Sequence, residues 1–308
     1  MGGLTSISLA VNLAGLSIRS PVLNASGVLG MSAPLLKRVW DNGAGAVVTK
    51  SLGPQPRDGH RNPTLLEVDC GIINAMGLPN PGYEEFLNQI RELKEQKVVV
   101  VASFFASTIK EFAESARALT SSGADALELN LSCPNVEGEP GMCAADELSV
   151  EQVTHAVKSV SKIPLLVKLS PNVTDIALIA KAAERGGADA ITAVNTLKAM
   201  AIDADFKRPI LTNITGGLSG PALKPVALRC VWEISEEVKI PIVGCGGVSN
   251  WRDAVEFILA GASALEVGSA LKSVGFGVFS DINSGIEEYL RNNEYKSVGE
   301  IVGLAHKG

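Results

Sequence analysis

Four copies of Gly-Ala-x-Ala punctuate the chain, at Gly43-Ala44-Gly45-Ala46, Gly123-Ala124-Asp125-Ala126, Gly187-Ala188-Asp189-Ala190 and Gly261-Ala262-Ser263-Ala264. Each follows an amphipathic stretch that ends at glycine. Each precedes a short, mostly β-prone run: Val47-Val48-Thr49, Leu127-Glu128-Leu129, Ile191-Thr192-Ala193-Val194 and Leu265-Glu266-Val267. That order is helix, tight turn, buried strand. A second junction, Lys-Ile-Pro, occurs at Lys162-Ile163-Pro164 and Lys239-Ile240-Pro241, where proline ends a helix and opens an extended run. Together these signals predict eight strands, near 21–25, 46–50, 97–103, 125–130, 164–169, 188–194, 241–244 and 263–268. Helix-patterned segments lie between them near 32–41, 83–95, 108–121, 149–162, 174–186, 222–238 and 250–260, with a last one after Gly277. Such alternation predicts parallel β-α units. Eight of them close into an α/β, (β/α)8 TIM barrel, whereas a doubly wound sheet has fewer strands and a Gly-x-Gly-x-x-Gly turn, which is absent. Residues 5–18 read as an N-terminal β-hairpin that plugs one end, and residues 1–308 are expected to form a single domain.

The 308 residues are 46% hydrophobic and 19% charged, which supplies a large core and excludes a disordered chain. A net charge of −6 without any block of like charges disfavours a nucleic-acid partner. The longest nearly uncharged apolar stretch, 98–106, is about half of the ~18 residues a membrane helix needs. The N-terminus lacks a signal-peptide layout, so a cytoplasmic protein with no membrane partner is expected. Five scattered cysteines, Cys70, Cys133, Cys143, Cys230 and Cys245, form no Cys-x-x-Cys pair and argue against disulfides, a zinc site or a self-contained iron–sulfur cluster. The three histidines sit in no zinc-hydrolase motif and beside no serine elbow. Chemistry here must use other groups.

In such a barrel the site is built from the loops after the strands. The strand-end residues are Asn24 to Ser26, Lys50, Ser103, Asn130, Lys168, Asn195, Gly246 and Gly268, all expected to face one mouth. Two lysines and three carboxamides suit a flat heteroaromatic ligand with amide-like edges, because carboxamides both donate and accept. Three connections are long: 51–81, 195–219 and 131–148. Three glycine clusters come late: Gly216-Gly217-Leu218-Ser219-Gly220-Pro221, Gly244-Cys245-Gly246-Gly247 and Gly268-Ser269. Any one glycine is often only a turn former, but three clusters on consecutive loops read as a seat for phosphate. Lys168 lies in the apolar run Pro164-Leu165-Leu166-Val167-Lys168-Leu169, so its ammonium must either meet an anionic or dipolar partner or snorkel to solvent. Cys133, in Asn130-Leu131-Ser132-Cys133-Pro134-Asn135, stands at the mouth on a Gly- and Pro-rich loop suited to closing as a lid, whereas Cys230 falls inside a helix.

At these residues the chain resembles the class 1 dihydroorotate dehydrogenases, and within them the subfamily that uses NAD through a partner subunit. The resembling segments are Asn24-Ala25-Ser26-Gly27, Thr49-Lys50-Ser51, Asn74-Ala75-Met76-Gly77-Leu78, residues 130–135, Lys168-Leu169-Ser170-Pro171-Asn172, Asn195-Thr196-Leu197, residues 216–221 and residues 244–247. The resemblance implies FMN held by Ser26, Lys50, Ser51, Asn130, Lys168, Val194, Gly220, Gly246, Gly247, Gly268 and Ser269. The N1–C2=O edge of the flavin would be the partner of Lys168. Dihydroorotate would meet Lys50, Asn74, Ala75, Met76, Gly77, Leu78, Asn130, Asn135, Asn195 and Thr196. Cys133 would remove the substrate C5 proton while the C6 hydride passes to the flavin, giving orotate for pyrimidine (UMP) synthesis. A separate iron–sulfur FAD subunit would link the reaction to NAD, around a homodimeric core.

Two departures stand out. Ala102-Ser103-Phe104-Phe105-Ala106 is more apolar than the resemblance leads one to expect, which puts a flavin contact by Ser103 in doubt. The loop continues Gly138-Glu139-Pro140-Gly141-Met142-Cys143, as in dihydropyrimidine dehydrogenase, which makes Cys143 a rival acid and uracil or thymine a rival substrate. An aldolase using Lys50 or Lys168 as a Schiff base, and a barrel that only binds a phosphate ligand, are the remaining alternatives.

Overall fold

The last alanine of each Gly-Ala-x-Ala copy turns inward at the same height. Ala46, Ala126, Ala190 and Ala264 are fully buried and share one cluster with Leu23, Val48, Val101, Leu166 and Val243. Four small side chains from alternate strands fill one tier of a barrel, and larger aliphatic residues from the other four strands fill the next. The fourfold sequence repeat is therefore the even-numbered half of an eightfold structure. The protein, a computed structural model, describes residues 7–131 and 146–308.

The parallel strands are Val22–Asn24, Val47–Val48, Val100–Phe104, Ala126–Asn130, Leu165–Leu169, Ala190–Ala193, Ile242–Cys245 and Ala262–Val267, called first to eighth below. They pair in chain order from second to seventh, with the eighth between the seventh and the first. A bridge between Leu23 and Ala46 joins first to second. Asn24 strengthens that seam: its Oδ1 accepts the Val48 N–H at 2.9 Å and its Nδ2 donates to the Val48 carbonyl at 2.8 Å. Asn24 thus serves closure and does not face the mouth as its strand-end position suggested.

Helices Ala33–Asp41, Tyr83–Glu95, Ile109–Ser121, Glu147–Val160, Ile176–Arg185, Lys224–Glu237 and Trp251–Leu259 follow the first seven strands in turn, and Val278–Asn292 follows the eighth after the short Ala270–Val274. Their starts are chemically marked. Thr108 and Glu111 form a capping box, and Asp146, Asp175 and Asn250 accept first-turn N–H groups. Two repeat copies carry aspartate at the third position, and both use it alike. Asp125 accepts from Val100 N–H at 2.7 Å and Lys94 at 2.5 Å; Asp189 accepts from Leu165 N–H at 2.7 Å and Lys158 at 2.5 Å. Each aspartate pins the start of the preceding strand to the helix before it.

The hairpin Val11–Leu13 and Leu16–Ile18 pushes Leu13 and Ile18 against the alanine tier and closes that end of the barrel. Among the described residues no helix is long and apolar enough to cross a membrane. Because the alanine tier has no spare volume, Ala190→Leu is expected to lower unfolding free energy by about 1–3 kcal/mol in denaturant melts. A wild-type midpoint would mean that the tier is not packed as described.

Candidate active site

The two longest connections do not stay irregular. Leu65–Val68 and Gly71–Asn74 from one, and Leu197–Met200 and Thr215–Ser219 from the other, join in a four-stranded antiparallel sheet over the strand C-termini. This corrects the expectation for Gly216-Gly217-Leu218-Ser219. These residues are a strand paired with Asn74, Ile73 and Ile72 on one side and with Leu197–Met200 on the other, not a phosphate turn. The glycines are there for close approach. A Cβ on Gly217 would stand 2.0 Å from Thr196 Oγ1, and one on Gly216 would stand 2.6 Å from the Asn74 carbonyl oxygen. Glycine enrichment read as a turn was instead cross-strand crowding.

The segment expected to meet substrate runs out of this sheet. Asn74 donates to the Gly217 carbonyl at 3.3 Å, Ala75 N–H to Thr64, and the His60 N–H to the Met76 carbonyl. Gly77 adopts a positive φ of 74° against the His60 ring, and Leu78 follows at 54°. Met76 is exposed and its neighbours are half-buried. Across the mouth, Asn195 Nδ2 approaches Asn130 Oδ1 at 3.4 Å while its Oδ1 accepts the Thr196 N–H at 2.8 Å. Asn172 holds the next stretch, donating to the Thr196 carbonyl and accepting the Lys198 N–H. Lys50, at the end of the second strand, is half-buried, and its ammonium has no partner among the described residues. Burial lowers its pKa. Asn135, Cys133 and Cys143 lie outside the described residues.

Lys168 meets its anionic partner inside the barrel rather than at solvent: its Nζ pairs with Glu266, lies 3.6 Å from Glu128 and 3.4 Å from Ser26 Oγ, and is 3% exposed. Strand alternation explains this. Glu128 and Glu266 lie two residues past the inward Ala126 and Ala264, and Ser103, Lys168 and Cys245 two past the inward Val101, Leu166 and Val243, so all five face the interior. Burial alone would lower the lysine, but the two carboxylates hold it well above its ordinary value. Burial pushes the neighbouring Cys245 thiol up. A hydrogen-bonded line links this cluster to the mouth. Asn130 donates to Ser51 Oγ at 3.0 Å, Ser51 and Ser103 hydroxyls meet at 2.9 Å, and Ser103 donates to Glu128 Oε1 at 2.9 Å. Ser103, doubted as a flavin contact, spends its hydroxyl here. Ser103→Ala should cost about 1–3 kcal/mol, read in urea titrations, because it strips a donor from a buried carboxylate. A silent substitution would show that Glu128 finds another donor.

The glycines after the seventh and eighth strands carry a different signal. The N–H groups of Gly246, Gly247, Gly268 and Ser269 have no acceptor among the described residues. Gly246 and Gly247 sit at φ 130° and 78°, and a Cβ on Gly247 would strike the Gly220 carbonyl oxygen at 2.7 Å. Gly244, by contrast, faces Phe257 and is packing alone, and the Val194 N–H is taken by the Cys245 carbonyl. No group of His, Cys, Asp and Glu among the described residues is arranged to hold a metal.

Sequence reasoning missed Glu128, Glu266 and Asn172 as site-building residues. The first two were visible as single carboxylates inside buried runs, a placement that demands a counter-charge. Asn172 carried no signal beyond its place in a resembling segment.

A closed barrel whose mouth gathers an ammonium without a partner among the described residues, facing carboxamides and a set of backbone amides, has the layout of a (β/α)8 enzyme. The family model described as dihydroorotate dehydrogenase matches residues 8–290. The catalytic subunit of dihydroorotate dehydrogenase B (NAD(+)) from Methanocella arvoryzae is 50% identical over 301 residues, covering 98% of this chain and 99% of that protein. The corresponding Pyrococcus horikoshii subunit is 50% identical over 299 residues, covering 97% and 99%. The fold matches the crystal structure of dihydroorotate dehydrogenase from Eimeria tenella in complex with ferulenol, with TM-score 0.85 and 23% identity over 97% of this chain and 89% of the other. The chain belongs to the dihydroorotate dehydrogenase family, a family of oxidoreductases.

Proposed function

We infer that this chain is a catalytic subunit that oxidises dihydroorotate to orotate, and that residues 1–308 act as one FMN-binding domain. The observation that carries the reading is the Lys50 ammonium, half-buried and without a partner among the described residues beside the Ser51–Asn130 bond, since a cation left so in a polar mouth needs an anionic ligand. The residues present fit FMN. Free amides of Gly246, Gly247, Gly268 and Ser269, with Gly220 packed beside them, suit its phosphate, and Ser26, Lys50, Ser51, Asn130 and Lys168 suit a ring with donor and acceptor edges. FMN supplies the hydride acceptor. Lys50 neutralises negative charge on the ligand. Asn74, Asn130 and Asn195, with Ala75 to Leu78 and Thr196, orient the substrate ring so that both transfers share one geometry. Val194, whose N–H is taken by the Cys245 carbonyl, would take part through its carbonyl or side chain.

Cys133 is the proposed base for the C5 proton, with Asn135 beside it in sequence. Cys133→Ser is expected to lower turnover about 10²–10⁴-fold, and Cys143→Ala to leave it within a few-fold. The reverse ranking would favour the pyrimidine-reducing alternative. A thiol acting as base also gives a basic limb to the pH–rate profile, turnover rising as the thiolate forms. Lys168, held as an ammonium between carboxylates, is unsuited to Schiff-base chemistry.

The relatives' designation as catalytic subunits supports a partner, which we assign as an iron–sulfur FAD protein passing electrons to NAD around a homodimeric core. Exposed Leu65, Met76, Met200, Ile202, Phe206 and Ile214 crowd the two long connections, which suits association. The deciding experiment is anaerobic titration of the purified yellow protein with dihydroorotate. Flavin bleaching is expected; a protein that takes up no flavin, or a flavin that dihydroorotate leaves oxidised, overturns the reading.

A further inference from the structure

Two carboxylates and one ammonium are buried together in the barrel interior, on the fourth, eighth and fifth strands. Lys168 Nζ satisfies one oxygen of Glu266 and lies 3.6 Å from Glu128 Oε2, and Ser103 satisfies Glu128 Oε1. That leaves Glu128 Oε2 and Glu266 Oε1 fully buried without a hydrogen-bond partner among the described residues. An orphaned carboxylate oxygen in a dry interior is costly, and two of them beside each other more so. A single proton on one carboxyl, donated to the other, relieves both at once. It also reduces the cluster from two negative charges against one positive to one against one.

We propose that Glu128 and Glu266 share one proton beneath the mouth and act together as positioning residues that keep Lys168 an ammonium beside the bound ligand. The groups facing the pair are Lys168 from the fifth strand, Cys245 from the seventh, and the neutral Ser26 and Ser103 from the ends of the first and third. Only Lys168 among them is cationic. The electrostatics agree with a shared proton: burial and the Glu128 charge drive Glu266 well above the carboxylate range, while against its own burial the Lys168 charge holds Glu128 below it.

The proton's location does not depend on the cofactor reading, but its consequence for the ligand does. A seat of zero net charge accepts a neutral ring and tolerates negative charge arriving beside Lys168, whereas two ionised carboxylates would repel that charge. The test is infrared difference spectroscopy of the purified flavin-loaded protein at neutral pH. It follows the carbonyl-stretch band of a protonated carboxylic acid, which moves on exchange into D2O. Wild type should show one such band. Glu266→Gln and Glu128→Gln should each abolish it, because the remaining carboxylate ionises to serve Lys168. A wild type without the band, or either folded variant that keeps it, overturns the proposal, and two parallel variants keep the test alive if one fails to fold. The flavin midpoint potential gives a second readout. It should stay unchanged in both variants, since the net charge is unchanged, and a rise in either would mean both carboxylates were ionised. A preparation that binds no flavin refutes the cofactor reading, while the acid band still decides the shared proton.

Discussion

Lys168→Met should destabilise the protein by about 3–5 kcal/mol at neutral pH, because it removes the one cation that, among the described residues, pairs with two buried carboxyl groups. The loss should also depend on pH with a defined sign. Without the ammonium, Glu128 joins Glu266 in having a folded pKa above the unfolded value of about 4.3. Such a group holds its proton in the folded state and releases it on unfolding, so stability is full below the unfolded pKa and falls as pH rises toward the folded one. Each extra proton retained costs about 1.4 kcal/mol per pH unit. Urea unfolding at about pH 5 and about pH 8 should therefore show a steeper decline for Lys168→Met than for wild type. Parallel declines would mean that Glu128 stays ionised without Lys168.

Lys50→Ala should do the opposite to stability and far more to activity. Its ammonium is half-buried with no partner among the described residues, and burial lowers its pKa, so the ligand-free fold carries an uncompensated charge there. Removing it should raise the stability of ligand-free protein by about 1 kcal/mol at neutral pH, a familiar trade at functional sites. The sign follows from a depressed pKa: the wild-type penalty is full below the folded value and disappears above the unfolded value of about 10.4. The gain of Lys50→Ala should vanish by that pH. Over the same range kcat/KM for dihydroorotate should fall about a hundredfold or more, as expected for losing a charged contact that grows stronger as the reaction proceeds. A variant that is less stable, or that turns over normally, would remove Lys50 from the ligand site.

The barrel was legible because its punctuation is local. Gly-Ala-x-Ala and Lys-Ile-Pro mark helix ends and strand starts within four residues, and the inward alanine is written in the repeat itself. The accessory sheet was not legible, because its central pairing sets Asn74 against Gly217, 143 residues away, and glycines chosen for close approach carry the same letters as glycines chosen for turns. The site divides in the same way. Lys50, Asn130 and Asn195 stand at or just past the ends of their strands, where the strand-end rule looks, whereas Asn24 is turned to the seam between the first and second strands. The environment of Lys168 depends on which residues of three other strands face inward at one height. Glu128 and Glu266 were on the page, but only closure of the cylinder makes them neighbours of each other and of Lys168.

Neither long connection builds the floor over the mouth alone. Gly71–Asn74 is held by Thr215–Ser219, and the Asn74 side chain by the Gly217 carbonyl, so the two excursions form a single interlocked unit despite their separation along the chain. Transplanting one of them from a relative would import half an interlocking surface. Altering the selectivity of this barrel by grafting therefore calls for both segments to be exchanged together, with the cylinder beneath left untouched.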